Sequence, residues 1–450
     1  MSGERGEFSS RFGFLMAASG SAVGLGNIWG FPTNAASNGG AAFLFTYLVL
    51  AFALAYPALM AELVIGRNAN ANAVTALQKI SGNETSRRTG AAVGLVGIVT
   101  VSFILSFYAV VSGWMLAFFL DPVSRLLGLD GLSNWLTEDT VSRNSFFVIV
   151  FMLLTVFVIS AGVKDGIEKW SSRLMPSLIV LLVLLTLYVF SLPGAMDGLT
   201  AYLVPDFSRV TNPGLLINAL GQAFFSLSLG VGTMLIYGSY ISKRENLPSL
   251  GGLVALLDIG IAFLAGLLIL PAMYVALASG VPIYDDAGAL IAGPGLIVSL
   301  LPTLFNSMGP IGVLVALAFF LLMTIASLTS SISMLEVPVS YAVENRGIAR
   351  KKAAVFVGAG IMLISLLIVF NFATLFDRVV SMTTEYSQPL LGLFFCVFAA
   401  WIWDRNRLLA EIQQGFPGAA DSLFWRIWPF YVKFICPPAI LAVFTYSLWS

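Results

Sequence analysis

No histidine occurs in this 450-residue chain. That absence excludes imidazole proton relays, haem ligation and hydrolases built on a Ser-His or Cys-His pair. Cysteine is almost as scarce. Cys396 and Cys436 both sit in apolar runs, so neither a disulfide framework nor a cysteine metal cluster is expected. Charge is thin, at 10% of residues, and balanced at 23 Lys+Arg against 23 Asp+Glu, which removes the basic footprint of a nucleic-acid binder. No G-x-x-x-x-G-K-S/T string is present to couple the chain to ATP. What fills the chain instead is apolar: 58% hydrophobic residues and a mean hydropathy of +0.92. Such a composition belongs in a bilayer. The expected partners are small solutes and lipid, not nucleic acid, and the chemistry left is that of carboxylates, hydroxyls and backbone carbonyls.

The opening MSGERGEFSSRFG carries charge but no short apolar core ahead of a cleavage site, so residues 1–11 read as a retained cytoplasmic tail. A hydrocarbon core of about 30 Å takes roughly 20 helical residues. Eleven apolar stretches of that size follow, near 12–37, 40–66, 90–120, 145–162, 168–192, 214–241, 249–280, 309–343, 352–372, 374–403 and 424–449. They are continuous rather than alternating, which predicts helices and not barrel strands. The fold class is therefore an all-α integral membrane protein, one transmembrane domain over 12–450. With the N-terminus inside, the outer side holds Arg125, Arg143, Arg209 and Arg378, Lys433 lies within the last span, and the remaining 18 of 23 basic residues fall inside. So lopsided a split predicts a cytoplasmic N-terminus, an outer C-terminus and an inner-membrane location. The segment 281–308 is apolar but broken by Pro282, Asp285, Asp286, Gly293, Pro294 and Pro302. It reads as a re-entrant outer lid, with a short twelfth helix as the alternative.

Within the first span lies Ser21-Ala-Val-Gly24-Leu-Gly26-Asn27, and within the sixth Ser226-Leu-Ser-Leu-Gly230-Val-Gly232. Each places two glycines two residues apart, after a serine. Such a pair costs about 1 kcal/mol per glycine against alanine in a helix and lets the backbone unwind. Unwinding at membrane depth is tolerated only where the freed groups line a polar cavity. Small residues also serve close helix packing, so one pair leaves both readings open. Two pairs five spans apart point to inverted repeats around a midplane site, helices 1–5 (about 12–192) and 6–10 (about 214–403), with a final helix at about 424–449. Gly24, Gly26, Gly230 and Gly232 are then hinges, and the architecture is that of a transporter.

At these residues the chain resembles the neurotransmitter:sodium symporter family, in its bacterial amino-acid transporters of the leucine-transporter fold. The resemblance rests on Gly20-Ser-Ala-Val-Gly-Leu-Gly-Asn27-Ile-Trp-Gly-Phe31-Pro32 and Asn38-Gly39-Gly40-Ala41-Ala42-Phe43. It continues through Glu62 with Gly66-Arg67, Tyr108 with Trp114, Gly221-Gln222-Ala-Phe-Phe225-Ser226-Leu-Ser228-Leu-Gly230 and Leu328-Thr329-Ser330-Ser331. The family implies Na⁺-driven uptake of amino acids or related amines, and no enzymatic activity. One or two Na⁺ ions are implied, two on the fuller reading. By that resemblance the Ala22 carbonyl, Asn27, Ser226 and Asp258 hold the first sodium. The Gly20, Val23 and Ala326 carbonyls with the Thr329 and Ser330 hydroxyls hold the second. Such oxygen sets suit a hard cation. Read without the family, Thr329 and Ser330 fit back-bonding to their own helix better.

A carboxylate at Asp258, in an apolar span, costs about 2.5–3.5 kcal/mol on insertion scales unless a cation compensates or the group is protonated and hydrogen-bonded. Many family members carry asparagine there, and some need chloride near residues matching Tyr47, Gln222 and Ser226. Asp258 supplies a fixed negative charge instead, so chloride-independent transport is expected. Glu62 matches a family glutamate that braces the unwound backbones, and Glu336 is expected to do likewise; both are candidates for protonation.

The substrate site implied by the family comprises Ser21, Ala22, Val23, Leu25, Gly26, Ile104, Tyr108, Phe225, Ser226, Ser228, Val231, Ser330 and Met334. Gly24 stands where amine transporters place an aspartate, which favours an amino acid whose own carboxylate completes the first sodium site. That carboxylate would meet the Leu25 and Gly26 amides at a half-helix end and the Tyr108 hydroxyl. Ile104 and Met334 fit core packing equally well. A neutral, fairly large apolar amino acid is the expected substrate. Arg5, Tyr240 and Glu344 match the family's inner gate, although an exposed pair of this kind is worth only about 0–1 kcal/mol. The outer gate departs from the family: Gly30 and Val380 occupy the places of its arginine and acid. Gly166 and Pro176 mark a hinge in the fifth span, where proline removes a helical hydrogen bond.

Two sodium ions falling through 100 mV and a tenfold gradient supply about 7.4 kcal/mol, enough for around 10⁵-fold accumulation of a zwitterion. Proton-coupled transport through Asp258 or Glu62, and a non-transporting amino-acid receptor on the same fold, are the alternatives that the sequence leaves open.

Overall fold

The computed structural model describes residues 6–204, 212–284, 291 and 295–449. In chain order the helices are α1 Arg11–Ala22, α2 Gly26–Ser37, α3 Ala41–Ala69, α4 Ala73–Ile80, α5 Glu84–Leu126, α6 Asp130–Thr137, α7 Val141–Ser160, α8 Val163–Phe190 and α9 Ala195–Leu203. There follow α10 Pro213–Ser226, α11 Thr233–Gly238, α12 Leu247–Ala278, α13 Leu301–Ser307, α14 Pro310–Arg346, α15 Arg350–Phe370, α16 Phe372–Ile402, α17 Arg405–Gln413 and α18 Leu423–Tyr446.

Among the described residues nine helices are long and apolar enough to cross a bilayer: α3, α5, α7, α8, α12, α14, α15, α16 and α18. A tenth crossing is α1 with α2, bent by 60° at a short break. The eleventh is α10 with α11, separated by the non-helical turn at 227–232. Eleven crossings with the first and sixth broken is the arrangement the glycine pairs predict. Of the segment expected as a lid, Asp285, Asp286, Gly293 and Pro294 lie outside the described residues. Its described part carries α13, which is too short to cross.

Helix starts follow ordinary capping chemistry. Ser10 accepts from Gly13 N at 2.9 Å, Asn246 from Ser249 N at 3.1 Å, and Asn83 forms a reciprocal box with Ser86 ahead of α5. Each side chain satisfies a donor that the first turn leaves free. Prolines shape the interiors. Pro57 and Pro389 lack an N–H, and just before each the helix widens to five-residue hydrogen bonding, over Ala51–Ala55 and Ser381–Ser387. Gln388 N thus reaches back to Thr383 O.

α5 and α14 pack along much of their length, and α1 lies against α8, α12 and α14. Large apolar side chains on α7, α8 and α15, such as Phe157, Leu187 and Phe356, point outward at 61–69% exposure, as a lipid-facing surface requires. One buried charge cluster ties the ends together. Arg67, fully buried, donates to Glu411 Oε1 at 2.8 Å, to the Glu411 carbonyl at 2.7 Å and to the Glu245 carbonyl at 2.8 Å. Lys243 and Asn68 donate to the same carboxylate. All five guanidinium donors need partners when buried, and the fork geometry of arginine lets one side chain bridge α3, the α11–α12 connection and α17.

Candidate functional site

The two helix breaks meet in the interior. α1 ends at Ala22, where Val23 turns extended with its N–H still bonded to Ser19 O at 2.7 Å. Beyond it Gly24 passes so close to α5 and α14 that an added Cβ would stand 2.8 Å from both Ser330 Oγ and Tyr108 Oη. Only glycine fits there. In the second break Ser228, Gly230 and Gly232 all take positive φ, of 52°, 82° and 79°. A non-glycine residue held left-handed is strained, and here the Ser228 hydroxyl donates across to the Ser21 carbonyl at 2.9 Å. Ser21 in turn donates to Ser333 Oγ at 2.8 Å.

The first cluster of oxygens gathers around Asp258 on α12. Asn27 Nδ2 donates to Asp258 Oδ1 at 2.7 Å and to Ser226 Oγ at 2.8 Å, and Ser226 Oγ donates to Asp258 Oδ2 at 2.7 Å. The Tyr47 hydroxyl reaches Ser226 at 3.3 Å and Asp258 at 3.4 Å. The Asn27 side-chain Oδ1 accepts from Gly24 N at 3.2 Å. Asn27, Ser226 and Asp258 are all buried, on three different helices. A buried carboxylate with the Ser226 and Tyr47 hydroxyl oxygens beside it offers oxygen donors of the kind a hard cation takes, while Asn27 turns its Nδ2 to Asp258 and its Oδ1 to Gly24 N.

A second cluster lies between α1 and α14. Ser330 Oγ contacts the Gly20 and Val23 carbonyls at 3.2 and 3.1 Å. Thr329 donates back to Ile325 O and Ala326 O, both at 3.1 Å. Of the two hydroxyls, one bonds within its own helix and the other spans the gap. All five predicted members, Gly20, Val23, Ala326, Thr329 and Ser330, are brought together there. Met175, next to Pro176 on α8, closes one side: an added Cβ on Gly20 would sit 3.2 Å from its Cγ. Gly166 lies in the widened first turn of the same helix, Val163–Glu168, packed on Val158.

Glu62 grips the second break, accepting from Gly230 N at 2.7 Å. Glu336 does not share that task. Its carboxylate accepts from the Tyr240 hydroxyl at 2.6 Å and from both terminal nitrogens of Arg350, whose Nε holds the Ile159 carbonyl at 3.0 Å. Arg350, at the start of α15, thus forms an ion pair with Glu336 across the end of α14. Of the predicted gate, Arg5 lies outside the described residues. Glu344 accepts from Asn72 N and Nδ2, both at 2.8 Å. Nearby, Phe8 N donates to Tyr240 O at 3.1 Å, and the Phe8 ring packs edge-on against Phe14, Tyr237 and Tyr240. Ser9 and Ser10 donate to Glu168 at the start of α8. The bundle is sealed at the end where α1 begins.

Toward the other end lies a cavity of about 880 Å³. Leu25, Gly26, Tyr108 and Phe225 of the predicted substrate residues line it, with Leu25 N donating to the Tyr108 hydroxyl at 3.2 Å. Ser21, Ala22, Val23, Ile104, Ser226, Val231, Ser330 and Met334 are buried next to the breaks and do not form its walls, nor does Ser228. Sequence reasoning missed Trp29, Phe107, Thr384 and Gln388, which do. The widening of α16 ahead of Pro389, which turns Thr384 and Glu385 to the cavity, was the available signal. Gly30 and Val380 also line it, without charge.

The profile of the sodium:neurotransmitter symporter family matches residues 5–146 and 139–450. The chain belongs to that family. It is a sodium-dependent symporter, a multi-pass membrane protein and not an enzyme. It is 34% identical over 453 residues to the uncharacterized sodium-dependent transporter YhdH of Bacillus subtilis, covering 97% of this chain and 96% of that one. An uncharacterized sodium-dependent transporter of Haemophilus influenzae is 29% identical, with 99% of each chain covered. The sodium- and chloride-dependent taurine transporter of Canis lupus familiaris is 26% identical, over 99% of this chain and 78% of its own. Among solved structures, MhsT in complex with L-phenylalanine matches with a TM-score of 0.84 and 35% identity, covering 98% of this chain and all of that one. The all-α membrane fold expected from the symporter's sequence is shared with this match.

Proposed function

We propose that this symporter imports a neutral, apolar amino acid with two sodium ions by alternating access, from a cytoplasmic N-terminus and an outer C-terminus, and without chloride. The observation that carries the reading is the buried Asp258 carboxylate joined to Asn27 and Ser226 at 2.7 Å, beside both helix breaks. A dehydrated sodium ion binds there with the Ala22 carbonyl, and the substrate carboxylate completes its shell. The second ion takes the Gly20, Val23 and Ala326 carbonyls with Thr329 and Ser330. The substrate carboxylate meets the Leu25 and Gly26 amides and the Tyr108 hydroxyl, where the half-helix dipole of α2 favours negative charge. Its amine meets carbonyls of Ala22, Phe225 and Ser228, and its side chain meets Ile104, Val231 and Met334. Ion and substrate thus stabilise each other's site, which couples their movement.

The sealed end with Phe8, Tyr240 and Glu336, opposite a cavity of about 880 Å³, supports an outward-facing conformation. Family membership favours sodium coupling over a purely proton-driven carrier or a silent receptor. The L-phenylalanine of the MhsT match supports a substrate of that class. The test is uptake of labelled L-phenylalanine and L-leucine into proteoliposomes under an inward sodium gradient, in chloride and in gluconate. Accumulation that needs sodium and ignores the anion is expected. Uptake that survives without sodium, or collapses in gluconate, overturns the reading.

A further inference from the structure

The last crossing carries a cation into the apolar layer without an anion to meet it. Lys433 stands seven residues after Arg426 on α18, two turns further along the same face and about 10 Å deeper by helical rise. Among the described residues neither side chain makes a hydrogen bond or an ion pair. The same is true of Arg405 at the start of α17, whose guanidinium rests over the Trp425 ring at 5.6 Å.

Two prolines explain how Lys433 is held. Pro437 and Pro438 remove the donors four and five residues on, so the Lys433 carbonyl has no partner within its own helix. α18 widens there, over Tyr431–Ile435, and Trp401 near the end of α16 supplies the missing donor: its Nε1 donates to the Lys433 carbonyl at 3.1 Å. The indole so anchored faces the Lys433 ammonium, with Nζ 4.6 Å from the ring centroid, and the Phe434 ring stands at 5.6 Å. A ring holds a cation through its quadrupole and takes no full hydrogen bond, so the three N–H donors of the ammonium remain open.

The surroundings are those of lipid at the edge of the hydrocarbon. Leu423, Ile427, Phe430 and Phe434 continue this side of α18, and with Trp401 they are 45–71% exposed. α16 ends at Ile402, one residue past Trp401, and tryptophan at such a level marks the headgroup boundary. Helical side chains lean toward their own N-terminus, so Lys433 reaches toward that boundary and away from the bilayer centre. The anion resident at this depth is a phospholipid phosphate. A choline or ethanolamine headgroup would set its own cation against Arg426, which favours a headgroup with none. A second copy of the chain is a poorer occupant. From Asp404 onward the exposed acids are Asp404 and Asp421 alone, against Arg405, Arg407, Arg426 and Lys433, so like charges would face each other.

We propose that Lys433, seated on Trp401, and Arg426 form a binding site for the phosphate of an anionic phospholipid whose acyl chains lie along the aromatic side of α18. Lys433 donates to the phosphate oxygens, and Arg426 adds positive field on the aqueous side of the headgroup.

Native mass spectrometry of the purified full-length protein, released from detergent, measures the retention of phosphatidylglycerol and of phosphatidylcholine with the same acyl chains. Phosphatidylglycerol is expected to bind saturably and about tenfold more tightly. Lys433→Gln is expected to remove that preference and Lys433→Arg to keep it. Arg88→Gln, which takes away an exposed cation at the start of α5, should leave it unchanged. Arg426→Gln is expected to weaken phosphatidylglycerol at least threefold, and it carries the decision if Lys433→Gln fails to fold. Equal retention of the two lipids, or a preference that survives in Lys433→Gln, overturns the proposal. A dimer that excludes lipid and falls apart in Lys433→Gln also overturns it, and gives this face to a second copy. The measurement needs neither sodium, substrate nor a defined sidedness, so a failure of gradient-driven uptake leaves this site separately readable.

Discussion

Asn27 and Asp258 join the first crossing to the seventh through one hydrogen bond of 2.7 Å, from the Asn27 side-chain amide to Asp258 Oδ1. The same carboxylate holds Ser226 on α10, so three helices converge on one fixed negative charge. Replacing it with an amide keeps the shape and removes the charge. Asp258→Asn is expected to raise the sodium concentration for half-maximal uptake at least tenfold, a loss of about 1.4 kcal/mol or more. Sodium titrations of uptake in proteoliposomes check this; an unchanged half-saturation would separate Asp258 from the ion.

Gly24 passes between Ser330 and Tyr108 with no space for a methyl group. Gly24→Ala is expected to abolish amino-acid uptake while leaving the helical protein folded, because the clash falls at the break and not in a packed crossing. Circular dichroism and size-exclusion behaviour verify the fold, and binding of labelled L-phenylalanine reads the loss.

The two hydroxyls of the second cluster make separable predictions. Thr329 bonds only within its own helix among its hydrogen bonds, whereas Ser330 links α14 to the Gly20 and Val23 carbonyls. Thr329→Val is expected to weaken sodium dependence with little change in thermal stability. Ser330→Ala removes an interhelical bond as well, about 1 kcal/mol. It should lower the melting midpoint and raise sodium half-saturation about fivefold.

Arg67 and Lys243 both bind Glu411 at 2.8 Å, yet the side chain of Arg67 is fully buried and that of Lys243 is 43% exposed. Arg67→Met removes the buried cation from Glu411, leaving it Lys243 and Asn68 alone, takes the guanidinium donors from the Glu245 and Glu411 carbonyls, and is expected to cost about 3–5 kcal/mol. Lys243→Met, at a solvated edge, should cost under about 1 kcal/mol. Denaturation midpoints of the two variants give the comparison. Equal losses would mean that the cluster does not hold the α3, α12 and α17 ends together.

Much of the site was legible because the chain cannot place a charge, a glycine pair or a hydroxyl run in an apolar span without reason. Asp258, Gly24 and Ser330 stand out against their surroundings in one dimension, and each lies at a break or against one. Glu336 stood out equally and was misassigned. Its partner Arg350 is fourteen residues away, beyond a helix end, and nothing in local pattern announces that the turn folds the guanidinium back. Gln388 was passed over because an amide in an apolar helix gives no sign of which of its atoms is left unpartnered.

Hydrophobicity alone determined that this chain crosses a bilayer many times as helices, since peptide groups in hydrocarbon must satisfy one another. Glycine spacing determined where two of those helices break. Which oxygens converge was decided only by tertiary packing. Ser226 and Asp258 lie 199 and 231 residues beyond Asn27 in the chain, and hydrogen bonds depend on distances that no linear spacing of such length encodes. The same holds for Gln388: one end of its amide is satisfied because Leu229, in the break between α10 and α11, presents its carbonyl there.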